Sequence, residues 1–218
     1  MKNKQDWSVY LVTDRALCRG RALEDVVAAA VRGGVTMVQL REKECSTRAF
    51  IALAERVLAV TRPRHVPLII NDRVDVALAV DAEGVHVGQD DMPPDVVRRL
   101  LARDKILGLS VETMEQAREA RAFDVDYLGV SPVFLTPTKA ELEHAWGVEG
   151  LNAVRAMTSL PLVGIGGIHA GNASRVLRAG ADGVAVVSAI CSADDPEAAA
   201  RELAGISKTC RAAAKVST

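Results

Sequence analysis

Eight short apolar runs punctuate the chain: Val9–Val12, Val35–Leu40, Pro67–Ile70, Gly84–Val87, Ile106–Leu109, Tyr127–Val130, Leu162–Ile165 and Val184–Val187. Each is nearly continuous instead of alternating, the pattern of strands covered on both faces in a parallel sheet. The segments between and after them carry helical spacing, at about Ala22–Arg32, Thr47–Val60, Val74–Val80, Pro94–Ala102, Thr113–Arg121, Val148–Met157, Asn172–Ala179 and Pro196–Arg211. Strand then helix, eight times over, predicts an α/β fold, a (β/α)8 TIM barrel. Its 218 residues fit a single domain, 1–218, with a short polar N-terminal segment and a tail that frays over Ala212–Thr218.

Local signals agree with these boundaries. Ser46 is placed to cap the second helix, Asp195 followed by Pro196 opens the last, and Gly33-Gly34 and Gly180 stop theirs. Gly84-Val85-His86-Val87 and Gly183-Val184-Ala185-Val186 echo each other faintly, as repeated βα units would.

In such a barrel the loops after the strands build the active face. Here every run ends in a polar, charged or glycine-rich cluster, so chemistry is expected at that end. On an extended second strand Gln39, Arg41 and, if extension continues, Lys43 share a face with Val35 and Met37. A guanidinium with paired donors and a compact ammonium suit a di- or triphosphate; the alternative is a surface patch of ion pairs with Glu42 and Glu44. Asn71-Asp72 ends the third strand and Gln89-Asp90-Asp91 follows the fourth. Adjacent strands lie about 4.8 Å apart, so Asp72 and Asp91 could share a hard cation such as Mg2+, or each could cap the helix that follows it.

The run Gly164-Ile165-Gly166-Gly167 after strand seven, opposite Ser188 after strand eight, fits a phosphate site built on backbone N–H groups, or a tight strand-to-helix turn. The polar loop from Ser131 to about Ala145 is a candidate lid, in which Thr136, Thr138 and Lys139 can meet anionic ligands. His86, inside strand four, reads as a satisfied interior residue in preference to a base. A diphosphate pocket on strands two to four and a monophosphate pocket on strands seven and eight imply two phosphorylated substrates.

Composition narrows the alternatives. The 27 Lys+Arg and 28 Asp+Glu nearly cancel, and no basic block with interleaved aromatics suggests nucleic acid. No stretch is apolar for long enough to be a signal peptide or membrane span, so a cytoplasmic enzyme is expected. Cys18, Cys45, Cys191 and Cys210 lack metal or disulfide spacing and are expected as free thiols. No apolar stripe compels a homodimer, which stays possible.

Taken in order, Tyr10-Leu11-Val12-Thr13-Asp14, Gln39-Leu40-Arg41-Glu42-Lys43, Asn71-Asp72, Val87-Gly88-Gln89-Asp90-Asp91, Thr136-Pro137-Thr138-Lys139, Val163–Ile168 and Ala181–Ser188 resemble the signatures of the thiamine phosphate synthase family. The resemblance covers nearly the whole chain. It implies a transferase that joins a pyrimidine diphosphate to a thiazole phosphate and releases pyrophosphate through a carbocation-like transition state, assisted by Mg2+. It also implies roles: Gln39, Leu40, Arg41, Glu42, Lys43, Asn71, Ser110 and Lys139 around the pyrimidine and its diphosphate, with Arg41, Lys43, Ser110 and Lys139 supporting catalysis. Asp72 and Asp91 would ligate the metal, and Thr136, Pro137, Thr138, Gly167, Val187 and Ser188 would hold the thiazole phosphate. Arg73 stands where some members have another acid. A thiazole tautomerase would not need the diphosphate and metal set, and a ligand sensor would bind without turnover.

Overall fold

The computed structural model describes residues 5–135 and 145–216. Strands β1 (Val9–Val12), β2 (Met37–Leu40), β3 (Leu68–Asn71), β4 (Gly84–Val87), β5 (Ile106–Val111), β6 (Tyr127–Val130), β7 (Leu162–Ile165) and β8 (Gly183–Val186) pair in chain order, and β8 closes onto β1. All pairings are parallel, so this is the expected (β/α)8 barrel. The helices are α1 (Leu23–Arg32), α2 (Thr47–Thr61), α3 (Val74–Ala79), α4 (Pro94–Leu100), α5 (Met114–Glu119), α6 (Gly147–Met157), α7 (Ala170–Arg178), α8 (Ser188–Cys191) and α9 (Pro196–Val216). Ser46 Oγ accepts from Ala49 N–H and Asp195 Oδ1 from the amides of Glu197 and Ala198, as their sequence positions predict.

Several element boundaries differ from the sequence reading, most by one or two residues. Val35 does not begin β2, because its N–H bonds to Ala30 O at 3.1 Å and closes α1; its side chain packs in the outer core, not on the inner face with Met37. Strand β5 runs two residues further, pairing Ser110 with Gly129 and Val111 with Val130. The four-residue α8 is too short for a periodic signal. Helix α9 runs to Val216, past the Arg211 at which the sequence reading ended it, and Arg211 bonds the Asp6 carboxylate at 2.8 Å and Asp182 O at 2.9 Å.

The core has two shells. An aliphatic outer shell lies between strands and helices. A smaller inner one holds Tyr10, Val12, Met37, Ile69, Tyr127, Val163 and Ala185 inside the barrel. Gly108 makes room for it: a Cβ there would lie 2.2 Å from Tyr127 Cζ.

At the N-terminal end one device recurs. The acid preceding each of β4, β6 and β8 reaches back to the first amides of the strand before and pairs with an arginine from the α2, α4 or α6 side. Glu83 accepts from Leu68 N–H (2.9 Å) and Arg62 (3.0 Å). Asp126 accepts from Leu107 N–H and Arg98, both at 2.8 Å, and Asp182 from Leu162 N–H (2.9 Å) and Arg155 (3.0 Å). Glu83 and Asp182 immediately precede the two echoing sequences, so that echo is a stability motif of alternate strands. A concavity of about 2340 Å³ also lies at this end, but Arg62, Asp126, Asp182 and Arg211 on its walls are already committed to these bonds. Among the described residues no helix is long and apolar enough to cross a membrane, and the four cysteines are free.

Candidate active site

The inner strand positions change character towards the C-terminal end. Met37 gives way to Gln39 on β2, Ile69 to Asn71 on β3, and Gly108 to Ser110 on β5, with His86 beside them on β4. The hydrophobic floor thus opens into a cavity of about 360 Å³ with both polar and apolar side chains on its walls. Gln39, Arg41, Asn71, His86 and Ser110 line one side of it, and Gly166, Gly167, Val187 and Ser188 the other.

The second strand distributes its residues by alternation. Gln39 and Arg41 reach the cavity. Leu40 is fully buried in the outer shell, so its side chain faces the helices and only its backbone is near the mouth. Glu42 turns away too: it pairs with Arg15 at 2.7 Å, and its side chain is 5% exposed. Glu42 is thus committed to Arg15, and Arg41 has no carboxylate partner among the described residues. Arg73 pairs with Asp75 at 2.6 Å and bonds Thr47, away from the mouth.

Beside the cavity, Asp72 and Asp91 bring their carboxyl groups into mutual contact, with Lys43 close by. Burial first, then the Asp91 carboxylate, pushes Asp72 up to about 6, against a smaller opposing pull from Lys43 and Asn71. The backbone is built for this placement: Asp72 has φ +61°, and its N–H bonds to His86 O on β4 at 2.8 Å. Asp91 Oδ2 accepts from Gly88 N–H at 2.7 Å. Neither acid is a helix cap. The N-cap residue is Arg73 for α3 and Pro93 for α4, and neither helix has a side-chain cap. Two touching carboxylates with oxygen-only donors fit a hard divalent cation. Among the described residues no third His, Cys, Asp or Glu joins them, so further ligands would come from substrate oxygens and water.

On the opposite wall, Gly166 (φ +102°) and Gly167 (φ +61°) form the turn into α7. A Cβ on Gly166 would sit 2.7 Å from Pro132 Cβ, and one on Gly167 2.9 Å from Leu135 O. The glycines therefore admit the β6 loop against the turn, in addition to leaving backbone open to a ligand. Asn172 Nδ2 holds Gly167 O at 2.9 Å. The base of the β6 loop is stitched by Trp146, whose indole N–H donates to Ser131 O at 3.1 Å and whose backbone N–H donates to Pro132 O at 2.9 Å.

A family model described as thiamine monophosphate synthase matches residues 9–190, which is the barrel from β1 into α8. The chain belongs to the thiamine monophosphate synthase family. It is 57% identical over 195 residues to the thiamine-phosphate synthase of Albidiferax ferrireducens, covering 89% of each chain. It is 54% identical to that of Syntrophomonas wolfei, covering 91% of this chain and 95% of the relative. The solved thiamine phosphate pyrophosphorylase of Pyrococcus furiosus superposes with a TM-score of 0.87 at 38% identity, covering 94% and 98% of the two chains. A 3-hexulose-6-phosphate synthase at 18% identity and TM-score 0.66 shares the fold alone.

Of the residues that the resemblance to this family nominates, Gln39, Arg41, Asn71, Ser110, Gly167, Val187 and Ser188 line the one cavity, with Lys43, Asp72 and Asp91 beside it. Thr136, Pro137, Thr138 and Lys139 lie outside the described residues. The sequence reading missed Tyr10 and Tyr127, whose hydroxyls sit on the cavity floor. They are the chain's two tyrosines, each set in an otherwise apolar strand, and that was the available signal.

Proposed function

We propose that this member of the thiamine monophosphate synthase family is a thiamine phosphate synthase. It condenses 4-amino-2-methyl-5-(diphosphooxymethyl)pyrimidine with 4-methyl-5-(2-phosphooxyethyl)thiazole, or its carboxylated precursor, and releases pyrophosphate. The observation that carries this reading is the division of one cavity between two walls: Arg41, with Lys43 and the Asp72–Asp91 pair beside it, and Gly167 with Ser188 opposite.

Arg41 offers parallel N–H donors to the diphosphate, and Lys43 and Lys139 add compact charge. The methylene carbon–oxygen bond breaks with its electron pair leaving on pyrophosphate, and the thiazole nitrogen's lone pair forms the new carbon–nitrogen bond. Negative charge grows on the departing oxygens, so fixed cations aimed there lower the barrier without a general base. Asp72 and Asp91 would hold Mg2+, which would supply further positive charge to the diphosphate. Gly167, Val187 and Ser188, with Thr136, Pro137 and Thr138, hold the thiazole phosphate. Gln39, Asn71 and Ser110 orient the pyrimidine, with Leu40 and Glu42 contributing through the backbone of the same strand end.

The test is an assay of the purified protein with both substrates and Mg2+, reading product mass and pyrophosphate release, with an EDTA control. Metal-dependent formation of thiamine phosphate is the expected result. Isomerisation of a thiazole phosphate carboxylate without condensation, or binding of both ligands without turnover, would overturn the proposal in favour of a tautomerase or a sensor.

A further inference from the structure

Five side chains from five strands form one hydrogen-bonded chain across the barrel interior. Gln39 Nε2 donates to the Tyr10 hydroxyl at 3.0 Å. The Tyr10 and Tyr127 hydroxyls are 2.9 Å apart, Tyr127 Oη is 2.8 Å from His86 Nδ1, and His86 Nε2 is 2.8 Å from Ser110 Oγ. Gln39, Tyr10, Tyr127 and His86 are all buried, and both ends of the chain, Gln39 and Ser110, line the cavity.

Each of these bonds uses one proton, and counting them gives the chain a direction. Burial raises both tyrosines well above the ordinary phenol value, so each keeps its proton. Tyr10 receives from the Gln39 amide, and its own proton goes to Tyr127. Were Tyr127 to donate to Tyr10 instead, the Tyr10 proton would be left without an acceptor in the chain, a costly loss inside the barrel. Tyr127 therefore spends its proton on His86 Nδ1. A neutral His86 then carries its proton on Nε2 and donates it to Ser110 Oγ, which leaves the Ser110 hydroxyl hydrogen for the cavity. At the other end one of the two Nε2 hydrogens of Gln39 goes to Tyr10, which fixes which way round the amide sits and keeps its carbonyl Oε1 as an acceptor.

We propose that Tyr10, Tyr127 and His86 are positioning residues that fix the hydrogen-bond polarity of the pyrimidine pocket, with Ser110 as donor and Gln39 as acceptor, and so select a 4-aminopyrimidine over its 4-oxo analogue. The selection rests on the reaction proposed above. A 4-aminopyrimidine presents accepting ring nitrogens and a donating exocyclic amine, which this polarity matches. The 4-oxo form turns a ring nitrogen into a donor and the exocyclic group into an acceptor, so both ends face a like group. Mispairing buried polar groups of this kind lowers kcat/KM by roughly tenfold or more.

Two measurements on the full chain test this. The first is the nitrogen-15 spectrum of histidine-labelled, ligand-free protein, with the His86 signals identified by their loss in His86→Gln. A neutral ring protonated at Nε2 is expected. Protonation at Nδ1, which requires the Gln39 amide turned over, or at both nitrogens, would overturn the polarity whether or not the protein has the proposed activity. The second is the ratio of kcat/KM for the amino and 4-oxo pyrimidine diphosphates in the parent and in Tyr127→Phe, which removes the proton given to His86. A ratio that drops about tenfold or more in the variant, with His86 becoming a mixture of tautomers, is expected. An unchanged ratio in a folded variant would overturn the proposal, and if the variant does not fold the first measurement still decides. A parent that makes no thiamine phosphate would instead count against the reaction, leaving the tautomer result to stand by itself.

Discussion

The recurring clamp on the barrel floor gives a stability prediction with a built-in comparison. Asp126 and Asp182 make the same two bonds, one to a strand amide and one to an arginine, but in different surroundings. The Asp126 and Arg98 side chains are 15% and 11% exposed, against 44% and 26% for Asp182 and Arg155. Asp126→Ala removes the nearer counter-charge of a largely buried guanidinium, leaving only the Asp124 carboxylate at 3.5 Å among the described residues, and strands the Leu107 amide. Breaking one partner of a buried pair costs about 3–5 kcal/mol; because Arg98 still donates to Asp124 O and Lys105 O, the lower end, about 3 kcal/mol, is expected. At Asp182 water can replace most of what is lost. An exposed pair contributes about 0–1 kcal/mol and the Leu162 amide on the order of 1 kcal/mol, so Asp182→Ala should cost about 1–2 kcal/mol. The assay is equilibrium urea unfolding of the full chain, followed by fluorescence and circular dichroism to establish that the transitions coincide. At a slope of about 2–3 kcal/mol/M the two midpoints should differ by roughly 0.3–1 M. Asp126→Asn, which keeps an acceptor for the Leu107 amide, should recover part of the loss. Equal losses for the two alanine variants, or the reverse order, would refute the argument from burial.

Other outcomes follow from the mouth. Asp91→Asn retains an acceptor for the Gly88 amide but removes a charge from the carboxylate pair; kcat should fall by about 10²-fold or more and Mg2+ dependence weaken, with little change in melting temperature, and unchanged kinetics at limiting Mg2+ would count against the metal role. Lys139→Met should slow turnover by about 10²-fold if its charge supports the leaving pyrophosphate; an effect confined to the thiazole KM would reassign it to substrate binding. Gly167→Ala places a Cβ 2.9 Å from Leu135 O at φ +61°, a strain of about 1–3 kcal/mol. The thiazole-phosphate KM should rise about tenfold or more while the pyrimidine KM holds, and a change in the pyrimidine KM alone would show that this wall serves the other substrate.

The barrel was legible in the sequence because strands covered on both faces need continuous apolar residues, and β1, β4, β6 and β7 have the predicted bounds. The second strand was less so. Its apolar run includes Val35, yet the amide of that residue is taken by the end of α1, a competition that composition does not display. The cavity residues were legible as strand-end polar groups, since alternation alone sends Gln39 and Arg41 one way and Leu40 and Glu42 the other. The interior chain was not. Tyr10 and Tyr127 are 117 positions apart, and only barrel closure brings their hydroxyls together.

The acidic residues show most directly where sequence reading stops. Asp126 and Asp91 each stand in a polar segment next to an apolar run, and each allows a structural or a functional role. What separates them is the partner each carboxylate finds. Asp126 meets an amide and a guanidinium, so its charge is compensated by the protein and nothing is left for a ligand. Asp91 meets an amide and the carboxyl group of Asp72, and that like-charge contact adds to burial in holding Asp72 near 6. With Lys43 the one cation beside them among the described residues, the pair carries more negative charge than those residues neutralise. A cation is the group that would complete it, and it would do so at the rim of the cavity whose wall carries Arg41. The same residue type thus stabilises one end of the barrel and prepares the other for an anionic substrate, according to whether folding supplies its counter-charge.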